Sequence, residues 1–344
     1  MTVRAQALGE AGRPAASPLR IVTLLFLRAG VLPFFLVAAL VIFSIAAPHF
    51  CTVQNLTDVA RQSVYLVLVS LGQMLVLITG GFDLSVGTAI ALTSVVSATV
   101  MVAAHGVFPH AEGLVIALGL LGGLCAALVI GVANGIGVSV FGVSPFIMTL
   151  GVQSVGAGIA LFLTGGVPIG NLPDAFGDIL GFGRIAGIPV PVLVALVAMI
   201  VMWVVMNRMR MGAQIYAVGG NVKAAHLSGI HTGRTLFIAY LACAVLASIA
   251  GMLLTARVNS GETDLGSSIA LQSIAACVIA GVSLRGGIGR VESVVLGAFF
   301  ITLVQNGMDV MQVGSYMQMV LLGSLLIVAV IVDQLRYRML LGRS

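Results

Sequence analysis

Ten apolar stretches, each near the length of one helical membrane crossing, follow one another at approximately residues 29–47, 62–79, 84–104, 113–134, 145–164, 188–207, 235–256, 268–283, 292–310 and 316–333. A hydrocarbon core about 30 Å thick takes roughly 20 helical residues per crossing, and a helix satisfies its own backbone groups within one segment. The pattern predicts an all-α polytopic membrane protein with about ten transmembrane helices. Composition agrees, with 60% of residues hydrophobic and 8% charged, against roughly 50% and 25% in average soluble chains. A soluble domain is excluded. The 43 glycines are scattered among Leu, Val and Ile, which fits close helix packing better than low complexity.

Charge placement tests the span count. Residues 1–28 carry Arg4, Arg13, Arg20 and Arg28 and precede an apolar run without a good small-residue cleavage site, so a retained first span is expected after a cytoplasmic N-terminal segment. Ten crossings then return the tail, 334–344, to the cytoplasm. With that orientation thirteen of the 16 Lys and Arg fall inside: the four above, Arg208, Arg210, Lys223, Arg234, Arg285, Arg290, Arg336, Arg338 and Arg343. Only Arg61, Arg184 and Arg257 fall outside, as the positive-inside rule requires. The net charge of +5 is thus spread over many loops and forms no patch for nucleic acid. Cys51, Cys125, Cys243 and Cys277 have no CxxC or metal-ligand spacing and read as packing residues.

Residues 29–333 form the membrane domain, and no separate soluble domain is present. Outside, only 165–187 is long enough for a lid-like or docking loop. Inside, 208–234 is the sizeable loop. Its Gly219-Gly220-Asn221 followed by an Ala-rich stretch predicts a turn and a short helix with Asn221 as N-cap. The chain has no G-x-x-x-x-G-K-[ST] phosphate loop and cannot hydrolyse a nucleotide by itself.

Gly119, Gly123, Ala127, Gly131 and Gly135 recur every fourth residue on the fourth span, and Ala239, Cys243, Ala247, Gly251 and Thr255 do so on the seventh. Both stripes let a neighbouring backbone approach closely, as a packing seam or as a sliding surface. On the ninth span Thr302, Gln305, Asn306 and Asp309 share one face, which must point away from lipid. Gln73 with Ser70, Asn134, Gln153, and Gln272 with Ser273 are further inward polar groups. Each is either part of a substrate pathway or an interhelical fastener. Trp203 reads as an interfacial anchor. Asp83, in Gly80-Gly81-Phe82-Asp83-Leu84-Ser85-Val86-Gly87, has two open roles: a cap on the third span's free N–H groups, or an ion-coupling carboxylate. Gly-x-x-Leu-x-x-Gly recurs at 81–87 and 281–287 and reads as coincidence.

Together these motifs resemble the permease subunits of ABC importers of the ribose, xylose, galactose and autoinducer-2 group, over about residues 30–335. The resemblance rests on Asn55-Leu56 with Arg61-Gln62, the Gly80–Gly87 run, Asn134-Gly135, Pro145-Phe146-Ile147 with Thr149-Leu150-Gly151, and Leu163-Thr164-Gly165-Gly166. It continues in Ala217–Asn221, Ala224-Ala225 with Ser228-Gly229-Ile230, Ser283-Leu284 with Gly286-Gly287 and Gly289, and Asn306-Gly307. It implies a bacterial inner-membrane permease, folded like the ten-helix permeases of the vitamin B12 importer class and paired with a second copy or a paralogue. A periplasmic binding protein would deliver a sugar-like solute, and a separate ABC ATPase, often a fused double domain, would bind ATP and Mg. No cofactor is expected in this chain. By the same resemblance Gly219, Gly220, Asn221, Ala224, Ala225, Ser228, Gly229 and Ile230 form the helix that couples to the ATPase; the inward polar groups Gln73, Asn134, Gln153, Gln272, Thr302, Gln305 and Asn306 are the candidates for the pathway on the residue reading above, and Asp83, Ser85 and Gly87 form a helix-cap or structural motif. Departures occur at Val222, Lys223 and His226 in the coupling segment and at Ala157, Ala270 and Gln272 in the spans, where relatives often carry charge. The alternative is a ten-helix ion-coupled secondary carrier, which has no need of a docking helix at 219–230.

Overall fold

The computed structural model describes residues 32–341. The predicted N-terminal segment, 1–28, and the last three residues of the predicted tail lie outside that range. The helices are α1 (Leu32–Ala46), α2 (Val53–Ile78), α3 (Val86–Val107), α4 (Glu112–Ser139), α5 (Pro145–Thr164), α6 (Val190–Arg208), α7 (Arg210–Gly220), α8 (Val222–Leu227), α9 (Thr232–Val258), α10 (Ile269–Ile279), α11 (Val291–Val310) and α12 (Ser315–Leu341). Seven of them, α2 to α6, α9 and α11, are long and apolar enough to cross a membrane, while α1 and α10 are shorter apolar helices. The chain is an all-α, multi-pass membrane protein. The predicted tenth span lies inside α12, which continues through Leu341 and takes in most of the predicted tail.

α2 is the central helix and is buried from Ser63 to Ile78, with α6, α9, α10 and α11 packed round it. The small-residue stripe of α4 is a packing seam. A side chain at Gly119 would meet Met101 and one at Gly123 would meet Thr93, both on α3, whereas Gly131 and Gly135 sit against Ala244 and Phe237 of α9. The α9 stripe serves likewise, since the Cα of Cys243 lies 2.9 Å from where a Cβ on Gly72 of α2 would stand. Close backbone approach supplies van der Waals contact where lipid leaves no hydrophobic drive.

Two non-helical segments run inside the bundle. α2 ends in a Schellman turn: Gly80 has φ +83°, and the N–H of Gly81 donates to Val76 O at 3.0 Å. The chain then doubles back beside α2, where the backbone of Asp83 pairs with the Gln73 side chain, five residues before the end of that helix. The second segment, 259–268, was expected to be a short outside loop. It instead follows α3 inward: Gly261 packs on Ala98, the N–H of Glu262 donates to Ser94 Oγ at 3.1 Å, and Gly266 packs on Ile90 and Gly87. Within the expected eighth span, 268–283, only the 11 residues of α10 are helical, and a polar segment of turns and bends precedes them inside the bundle. Irregular backbone at such depth is stable only where protein covers it.

The expected docking loop at 165–187 is anchored. A helical turn at Asp174–Phe176 runs into a π-helical turn at Gly177–Gly181, Phe176 is fully buried, and Ile169 and Gly261 exchange both backbone hydrogen bonds at 2.9 and 2.8 Å. A short hairpin, β1 (Arg184–Ile185) with β2 (Ile188–Pro189), leads into α6. The echo at 81–87 and 281–287 does not hold in register. The left-handed glycine is Gly80 at the end of α2 but Gly281 at the end of α10, and Gly87 is helical while Gly287 has φ +76°.

Candidate functional site

Three backbones meet at the end of the bundle where α2, α7 and α10 terminate. Met211, Ile215 and Val218 turn one face of α7 toward the core, which brings Gly219 against the end of α2. A Cβ on Gly219 would collide with Ile78 O and stand 2.6 Å from Gly287 N. One on Gly286 would be 2.8 Å from Gly219 O, and the N–H of Gly287 donates to Ile78 O at 2.8 Å. Only glycines fit there. From α7 the Tyr216 hydroxyl donates to Gly289 O at 2.8 Å. Burial, and next the Glu292 carboxylate, push that phenol above its ordinary pKa, which keeps it a neutral donor.

α8 projects from this junction. The Asn221 side chain accepts from the N–H of Ala224 at 3.0 Å, which is the N-cap. The other end is a Schellman motif, with Gly229 N donating to His226 O, Ile230 N donating to Ala225 O, and Gly229 at φ +83°. Ala225 is buried, whereas Ala224, Ser228 and Gly229 are exposed and Leu227 is 87% exposed. Of the eight residues expected in one coupling helix, Asn221, Ala224, Ala225, Ser228, Gly229 and Ile230 build or cap the short, largely open α8, whereas Gly219 and Gly220 end α7 and belong to its base.

Behind the junction lies a polar interior. Asp83 Oδ1 accepts from Ser85 N at 2.9 Å and Ser85 Oγ at 2.6 Å, closing the turn that starts α3. Asn134 of α4 donates through Nδ2 to Ser85 Oγ at 2.7 Å and reaches Asp83 Oδ1 at 3.4 Å. With its amide turned to match donors and acceptors, Gln73 pairs with the backbone N and O of Asp83 at 3.2 and 3.1 Å. The Tyr240 hydroxyl donates to Phe82 O at 3.4 Å. Gly87 lies against the second irregular segment, where a Cβ would be 2.6 Å from Gly266 O.

The seven candidate pathway residues divide into two groups. Gln73 and Asn134 converge on the Asp83 turn. Thr302 bonds back to Ala298 O within α11, and Asn306 forms a reciprocal amide pair with Asn55 of α2 at 2.8 and 3.0 Å. Gln153, Gln272 and Gln305 are half-buried, and Gln272 stands in the first turn of α10 beside the break, where Nε2 donates to Ser268 Oγ at 3.3 Å. Sequence reasoning missed three contributors: α7, Asn55 as the partner of Asn306, and the nesting of 283–289 with Gly219. The apolar spacing of Met211, Ile215 and Val218 was the available signal for α7. Among the described residues no group of three His, Cys, Asp or Glu side chains is placed to hold a metal ion.

Residues 55–330 match the family described as the branched-chain amino acid transport system, permease component. The D-allose transport system permease protein of Escherichia coli strain K12 is 35% identical over 304 residues, 88% of this chain and 90% of that one. The ribose import permease protein of Bacillus subtilis strain 168 is 35% identical, over 86% of this chain and 89% of its own. The galactose/methyl galactoside import permease protein of Escherichia coli K12 is 34% identical, over 91% and 96%. No solved structure matches the chain. A match over most of the chain, together with a many-helix membrane bundle, establishes that this protein belongs to that family of transport-system permeases.

Proposed function

We propose that this chain is the membrane-spanning subunit of an ATP-driven importer of an aldose sugar or a related small polyol. The observation that carries the reading is the exposed, doubly capped α8 held on a glycine-packed base, a short element built to take a push and pass it to α2 and α10. The chain supplies no nucleotide-binding loop, so ATP and Mg belong to a separate ABC ATPase, and a periplasmic binding protein supplies the solute. The relatives' allose, ribose and galactose support an aldose as cargo.

The arginine asymmetry supports ten crossings in the bacterial inner membrane, with both termini, the junction and α8 in the cytoplasm. α1, α10 with the irregular segment before it, and α12 complete the count. Discontinuous crossings mark solute sites in transporters because their open backbone faces a cavity. In this reading the pathway runs beside the break, where Gln272 is half-buried, with Gln153 and Gln305 as its other polar contributors and a second permease copy or paralogue across it. Gln73, Asn134, Thr302 and Asn306 fasten the protomer around it. Affinity within the pathway is weak, since a tight site would hold the solute.

Reconstitution tests the reading. In proteoliposomes holding the permease, its ATPase and its binding protein, labelled ribose, allose or galactose accumulates only with ATP inside and the binding protein outside. Accumulation by the permease alone under a proton or sodium gradient would overturn it.

A further inference from the structure

The loop between α10 and α11, Ser283–Arg290, shares the exposed end of the bundle with α8. It is a set structure: Ser283 N donates to Ile288 O at 3.0 Å, Gly286 N to Ser283 O at 3.0 Å, and Arg285 N to Ser283 Oγ at 3.2 Å. It is tied to α7 through Tyr216 and to α2 through Gly287, as described. A Cβ on Gly287 would lie 3.1 Å from Gly220 Cα, so Ile288 and Val222 leave the same backbone contact one and two residues later. Ile288 is 58% exposed, beside exposed Arg285 and Arg290, while Val222 and Leu227 are exposed on α8 next to Lys223.

Charge on this face is predominantly positive, with the exposed Glu292 at the start of α11 as the neighbouring acid. Residues 208–234 hold four Lys or Arg, and 283–290 hold two Arg, with no Asp or Glu in either segment. Apolar side chains set among cations match a partner surface with an apolar centre and a carboxylate rim, since potentials across interfaces are complementary.

We infer that the docking surface for the ATPase is composite, made of α8 together with the Ser283–Arg290 loop, and that it fits an acidic face with an apolar groove. The inference rests on the reading of the chain as an importer permease and adds a second contact to it. Its mechanical consequence is specific. The loop is the direct continuation of α10, so a partner gripping it moves the half-helix beside the break as well as α6 and α9, which flank α7 and α8.

The test is retention of the cognate ATPase by tagged, detergent-solubilised permease over a range of salt concentrations. Ile288→Asp is compared with Leu227→Asp on α8, and each must elute as wild type and melt within a few degrees of it. Both are expected to weaken ATPase binding tenfold or more, and wild-type binding should fall as salt rises. If Leu227→Asp loses the ATPase and Ile288→Asp keeps wild-type affinity within twofold, docking is by α8 alone and the inference is overturned while the importer reading stands. If neither variant weakens binding, the coupling element itself is misassigned. Should Ile288→Asp fail to fold, Ile288→Cys in a background with Cys51→Ser and Cys125→Ser decides. A short thiol-to-amine crosslinker on the assembled complex should give a permease–ATPase adduct, and its absence overturns the inference.

Discussion

At the scale of single residues, neighbouring glycines make opposite predictions. Gly219 has no room for a methyl group, because it would collide with Ile78 O and backbone cannot rotate aside, whereas Gly220 has nothing within 4 Å. Gly219→Ala should cost about 3 kcal/mol, at the upper end of overpacking penalties, and stop uptake. Gly220→Ala should leave the melting temperature unchanged or raise it, since alanine favours helix by about 1 kcal/mol. Thermal melts in detergent with uptake in the same membranes check both. Asn55 and Asn306 form a fastener, so a double-mutant cycle to alanine should return a coupling of roughly 1 kcal/mol, and an additive result would refute the pair. Local chemistry was legible here. Asn221 as a cap depends on three residues either side of it, whereas the pairing of Asn55 with Asn306 joins positions 251 apart and no spacing rule reports it.

The same division governs whole elements. Hydropathy finds apolar runs but not depth, so the polar stretch 259–268 reads as a loop at the surface. Its burial depends on Ser94, Ala98, Gly87 and Ile90 of α3 presenting small or flat surface along that track. α7 escaped notice because its apolar face is only three residues long. The capped α8 was readable from Asn221 and Gly229. Gly229 stands at φ +83° with open space around it, so the backbone conformation is the only constraint on a side chain there. Gly229→Asn should keep most uptake, since asparagine tolerates the left-handed region, while Gly229→Val should lose most of it with normal insertion. At the break Gly266 combines φ +91° with Ile90 Cβ 2.9 Å from a new Cβ. Gly266→Ala should therefore destabilise by about 2 kcal/mol or more and slow transport, read as a lower melting temperature and a reduced initial uptake rate.

For the molecule as a whole, the charge asymmetry and the geometry impose one condition on each other. Thirteen of 16 cationic residues fall on one side if ten crossings are made, and that side is the one bearing the glycine junction and α8. An odd number of crossings would put α8 and the tail on opposite faces and scatter the arginines across both. A broken eighth span threatens that parity, because a segment that entered and left by the same face would subtract one crossing. The contacts argue for passage: the chain enters beside Ala98 of α3 and leaves at Gly287 beside Ile78 of α2. Accessibility can decide it. In a background with Cys51→Ser and Cys125→Ser, Phe182→Cys, 55% exposed in the anchored loop, should react with a membrane-impermeant maleimide on intact spheroplasts. Leu227→Cys on α8 and Ile288→Cys after α10 should react only once the membrane is opened. If Ile288→Cys were labelled from outside while Leu227→Cys stayed protected, the break would be a re-entrant loop, and α10 would no longer join the pathway to the cytoplasmic face.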